Sequence, residues 1–215
     1  MKSSARWIAM TVMASSATAL GQQPEQNLIP DREANRQLAH ILDSTRAQGL
    51  PVAPIVAKAQ YAAVMHAPAD KILAAARAIA ARLPIARAAL APRDNTADVI
   101  AGEGALSFGV SKETIRAIRQ ASAEPSIAVP LGVLTELVAS HVPIDRASEL
   151  VLALVKRGAS SQQLAALQTN VAADVGFGVP PDQSLELRTK GLTAVLGGGA
   201  AGGSAPVNIA KPKNP

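Results

Sequence analysis

The sequence predicts an all-α fold of stacked helical hairpins, either a short α-solenoid or an orthogonal bundle. Three observations carry this. Alanine fills 45 of the 215 positions, and it combines the best helix propensity with little side-chain entropy to lose. Apolar residues make up 48% of the chain but aromatics only 2%, and the Val, Ile and aromatic alternation of a β-sandwich is missing. Third, marks of Gly or His, then a small apolar residue, then Pro or Ser recur along the chain. They are Gly49-Leu50-Pro51, His66-Ala67-Pro68, Gly109-Val110-Ser111, His141-Val142-Pro143, Gly158-Ala159-Ser160 and Gly178-Val179-Pro180.

Each mark has a mechanical meaning. Gly accepts the left-handed conformation that closes a helix C-terminus. Pro suits the first turn of the next helix and Ser suits its cap. An acid in that first turn faces the positive end of the helix dipole.

Taken in order, a helix over about 31–47 closes at Gly49, and one over 52–65 opens after Pro51 and closes at His66. The next, 69–83, opens after Pro68 with Asp70 in its first turn. Pro84 then interrupts an Ala-rich run. Arg77, Arg82 and Arg87 step by five, about 140° around a helix, so one straight helix would point them three ways. A break near Leu83, with a separate helix over 85–91, is the expectation, because a residue before Pro avoids the helical region. The arginines also argue against a transmembrane reading of 72–91. Helices follow over 95–107 and over 112–122, the latter opening after Ser111 with Glu113. Another, over 130–140, ends at His141. Helix 144–157 has Asp145 in its first turn and Ala147, Leu150, Val151, Leu154 and Val155 at helical spacing. Helices 161–175 and 181–190 open after Ser160 and Pro180. Residues 191–215 are rich in Gly and Pro and read as a flexible tail.

The marks also repeat in spacing. Gly49 to His66 and His141 to Gly158 are both 17 residues, and the pairs are offset by 92. That offset lays Leu42 on Leu134, Pro51 on Pro143, Ile72 on Leu164 and Ile79 on Val171. An internal duplication, with halves 31–92 and 109–190 inside a helical domain 28–190, is the expectation. Stacked hairpins would bury faces that no single hairpin buries alone.

Residues 1–21, MKSSARWIAMTVMASSATALG, read as a secretory signal peptide. Lys2 and Arg6 begin it, and the apolar run to Leu20 is too short and too rich in Ser and Thr to span a bilayer well. Cleavage is expected after Gly21, or else after Ala19; a first core helix or an uncleaved anchor is the alternative. The chain would then be exported, to the periplasm or the medium. Without cysteine it carries neither a disulfide nor a lipid on a cysteine. Cleavage lowers Lys plus Arg from 21 to 19 against 16 acids, taking the formal charge from +5 to +3. Lys211 and Lys213 lie in the tail, so the body is near neutral. That balance and the scarcity of aromatics oppose nucleic-acid binding.

Chemistry is sparse. His66 and His141 fall in slots that hold Gly158 and Gly49 at the 92-residue offset. Exchange with Gly is what a turn residue does and a metal ligand does not. No His-Glu-x-x-His motif occurs, and without cysteine the structural zinc patterns are excluded. There is no Gly-x-Ser-x-Gly, and Ser107 lies at a helix end. Asp145/Glu149 and Asp182/Glu186 are i, i+4 pairs and read as solvated faces. Gly197-Gly198-Gly199 and Gly202-Gly203 carry no Gly-Lys-Ser/Thr and are not a phosphate loop. No catalytic, cofactor-binding or metal-binding residue is predicted.

The runs GLPVAPIVAKAQYAAVMHAPADKILAAARAIAARL and VPLGVLTELVASHVPIDRASELVLALVKRGAS resemble those of uncharacterised, secreted, Ala-rich helical proteins of bacteria, over residues 28–190. The resemblance implies the helical fold and export, and it carries no site residue. The expectation for function is a non-catalytic helical-repeat protein binding a protein or peptide of the cell envelope. A hydrolase acting on envelope material, or a carrier of a small ligand or lipid, is the alternative.

Overall fold

A computed structural model describes residues 28, 29 and 31–198. The proposed signal, 1–21, and residues 199–215 of the proposed tail lie outside the described residues. Nine α-helices and no strand occur among those described: α1 Arg32–Ala47, α2 Ala53–Val64, α3 Ala69–Leu90, α4 Thr96–Ser107, α5 Lys112–Ala121, α6 Ala128–Ala139, α7 Ile144–Lys156, α8 Ser161–Gly176 and α9 Pro181–Gly198. None of these helices is long and apolar enough to cross a membrane.

The sequence marks are the helix ends. Gly49, His66, Gly109, His141, Gly158 and Gly178 all have positive φ, from 53° to 87°. At each, two backbone bonds close the helix in the same pattern. In the first, Gly49 N donates to Arg46 O and Leu50 N to Thr45 O; in the fourth, His141 N donates to Val138 O and Val142 N to Leu137 O. The apolar residue after each left-handed position turns back onto its own helix, and Leu50, Val110, Val142 and Ala159 there are buried. Capping follows locally too. Asp31, Asn95 and Ser111 side chains accept the backbone N–H groups of Ala34, Asp98 and Thr114. Ser160 and Gln163 bond reciprocally, which satisfies two of the helix's free donors.

The packing is repeat-like. α1, α3, α5 and α7 lie side by side in that order, as do α4, α6 and α8, and α2–α3, α3–α4, α6–α7 and α8–α9 also pack. One cluster of buried side chains runs from Ile29 to Leu185. The 92-residue offset lays α1, α2 and α3 on α6, α7 and α8, and the turn residues match in conformation. Helix packing does not follow it: α2 packs chiefly on α3, whereas α7 packs on α5 and α6. A five-helix step moves a helix from one row to the other, so the packing does not confirm a duplication; what matches is the turns and apolar positions buried in both halves, Leu42 with Leu134, Ile72 with Leu164 and Ile79 with Val171.

Two boundaries differ from the sequence reading. The expected break at Pro84 is absent, and 69–83 and 85–91 are one 22-residue helix, α3. Proline removes one backbone bond and crowds the carbonyl four residues earlier. Burial on both sides outweighs this, since Ile79, Leu83, Ala86, Ala89 and Leu90 all sit in the interior. The contact with α4 is close enough that a Cβ on Gly102 would lie 3.2 Å from the Ala86 Cβ. The three arginines do diverge. Arg77 donates to Gln37 Oε1 and Arg87 to the Gln48 carbonyl, both on the α1 side, and Arg82 reaches Glu103 on α4. The second correction is α9, which continues past Gly191 to Gly198 because Leu192 and Leu196, one turn apart, pack against the core.

A polar knot joins α4, α5 and the 122–127 connection. The Asp98 side chain is fully buried and accepts from Ser126 Oγ at 2.6 Å, Ile127 N at 2.9 Å and Asn95 Nδ2 at 2.9 Å. Arg119, 4% exposed, lies 3.6 Å from it and donates to the carbonyls of Ser122, Glu124 and Pro125. Glu124 accepts the backbone N–H and hydroxyl of Ser161, and those bonds, hydroxyl first, hold its carboxyl below the usual range. A six-residue connection is thereby tied to three helices.

Candidate functional site

Three helical faces converge on one open groove of about 490 Å³. Pro54, Ala57, Lys58 and Tyr61 form the α2 wall, and Ala75, Ala78, Ile79 and Arg82 the α3 floor. Both sets run i, i+3, i+4, i+7, so each is a single stripe of its helix. Glu103 and Ser107, one turn apart on α4, make the other wall. Alanines on the floor leave room where larger residues would fill it.

Charge in the groove is arranged in two pairs. Arg82 Nε and Nη2 both reach Glu103 Oε1, at 2.9 and 2.7 Å. Glu103 is 6% exposed, and a carboxylate so far from water needs such a partner. Lys58 Nζ stands 5.7 Å from the Tyr61 ring centre, within reach of a cation–π attraction. Tyr61 is nevertheless 61% exposed. An aromatic that keeps most of its surface in water beside a cation has contact area to offer a ligand.

Ser107 and Glu103, on the α4 wall of the groove, are both already engaged. Ser107 Oγ donates to the Gly104 carbonyl of its own helix, at 2.7 Å. No histidine lines the groove. His66 and His141 occupy left-handed turn positions, and His40 is exposed on α1. No group of three His, Asp or Glu close enough to hold a metal occurs among the described residues. Asp145, Glu149, Asp182 and Glu186 are all exposed. Glu186 pairs with Lys190 at 2.8 Å, and that bond holds its carboxyl low. Asp174 is held at about 2 by hydrogen bonds from Arg188 first and Ser184 second; these tie α8 to α9.

A second groove, about 570 Å³, lies between α8 and α9. Leu167, Leu187, Leu192 and Val195 line it and Arg188 stands at its rim. Gln163 and Asn170 of α8 border it as well.

Sequence reading passed over Lys58 and Glu103. The spacing of Pro54, Ala57, Lys58 and Tyr61 was visible as one face, but nothing local says that this face borders a groove. Glu103 needs α3 beside it before its role appears. The chain matches no family model, no curated protein and no solved structure with which it was compared.

Proposed function

We propose that the chain is a non-catalytic helical-repeat protein that binds a protein or peptide of the cell envelope in the α2–α3–α4 groove. The observation that carries this is Tyr61: an aromatic 61% exposed, beside Lys58, on the wall of an open groove whose acid is already paired. The envelope setting rests on residues 1–21 and their reading as an export signal. The chemistry best matched is a segment presenting an apolar side chain to Tyr61 and Ile79 and a carboxylate to Lys58. Aromatic anchors of this kind dominate binding energy where they become desolvated. The exposed ammonium orients the partner and adds less affinity.

The test is comparative capture from envelope extract by the parent chain, Tyr61→Ala and Lys58→Glu, with helicity checked by circular dichroism. One protein should be retained by the parent and lost with Tyr61→Ala, a weakening of about thirtyfold for an anchor worth about 2 kcal/mol. Retention of the same protein by all three, or of none by the parent, refutes the reading.

A further inference from the structure

The α8–α9 groove is the open end of the stack. Leu187 and Val195 are each 65% exposed on it, and terminal units of helical stacks need a cover over such a face. α9 ends at Gly198, three residues beyond Val195, and 17 residues follow. The first six of these, Gly199 to Ser204, are Gly, Ala and Ser only. Ala205-Pro206-Val207-Asn208-Ile209-Ala210 comes next and holds the only Val and Ile after residue 198.

We propose that this C-terminal segment, Ala205–Ala210, seats in the α8–α9 groove of its own chain and caps the stack. Reach allows it. Nine residues of Gly-rich chain from Gly198 to Val207 span about 16 Å root mean square, whereas the groove runs about 12 Å along α9 from Val195 back to Leu187. Conformation suits it as well. A residue before proline avoids the helical region, and if the segment seats extended, Val207 and Ile209 face one side and Asn208 the other. Direction brings the charges together. A segment running back along α9 carries Lys211 and Lys213 toward its first turn, where Asp182 is exposed. Tethering supplies a millimolar effective concentration, so a contact too weak to hold a free peptide is populated within the chain. A second copy has no such advantage.

The absence of cysteine makes the test direct. A nitroxide on Ala210→Cys in the full chain is read through amide signals. Leu167, Leu187, Leu192 and Val195 should lose most of their intensity, and Val207→Asp with Ile209→Asp should restore it while leaving the helical spectrum unchanged. The proposal fails if broadening is confined to residues beside Gly198, or if it persists in the doubly substituted tail. It fails equally if labelled chain broadens unlabelled chain in proportion to concentration, which would make the occupant a second copy.

Discussion

Asp98→Ala should be among the most damaging single changes in this chain. The carboxylate accepts three hydrogen bonds of 2.6 to 2.9 Å in a fully buried position. Bonds to a charged acceptor contribute about 1.5–3 kcal/mol each, so the three set a ceiling of about 4.5–9 kcal/mol. Relaxation and water entry reduce this. The substitution also removes the carboxylate beside Arg119, which is 4% exposed, has no partner at Nε and would keep only backbone carbonyls as acceptors. Breaking a buried pair by removing one member costs about 3–5 kcal/mol, and we take about 4 kcal/mol as the expected loss. For a domain of this size that lowers Tm by about 8–16 °C. Urea unfolding of the parent, Asp98→Ala, Arg119→Met and the double variant measures it. The double variant should be less destabilised than the two singles combined, because it leaves no buried charge alone. A loss below about 1 kcal/mol for Asp98→Ala, or strict additivity in the cycle, would refute the claim that this pair holds the 122–127 connection.

Further outcomes follow from the turns and the α8–α9 contact. His66→Gly and His141→Gly should each stabilise by about 0.5–1 kcal/mol in urea, since a left-handed position strains a residue with a Cβ more than the flexibility of Gly costs. Gly158→Ala, at φ 79°, should destabilise by about 1 kcal/mol. Asp174, at about 2 when folded against an ordinary 3.8, adds stability that is fully present above the ordinary value and is lost as pH falls toward 2. Arg188→Ala should flatten that acid limb in pH-dependent unfolding.

Helix ends were legible because their chemistry is local. A left-handed residue, an apolar residue after it and a Pro or Ser to restart the chain act over three positions, and all six marks became turns. The same logic identified His66 and His141 as turn residues. Local logic misjudged Pro84 and Gly191 for one reason. Each is a helix breaker by its own backbone, but Leu83 and Ala86 on one side of the fold, and Leu192 and Leu196 on the other, gain more from burial than the break would save.

The sequence by itself determined that the chain is helical and where most helices stop, because capping and propensity are properties of adjacent residues. Only the tertiary structure decided which faces meet. Glu103 finds Arg82 across 21 residues, Ser126 finds Asp98 across 28 and Glu124 finds Ser161 across 37. The groove beside Tyr61 exists because three helices stop short of filling it. Such distances along the chain leave no periodic trace, since each partner is chosen by how the helices stack and not by its neighbours in sequence.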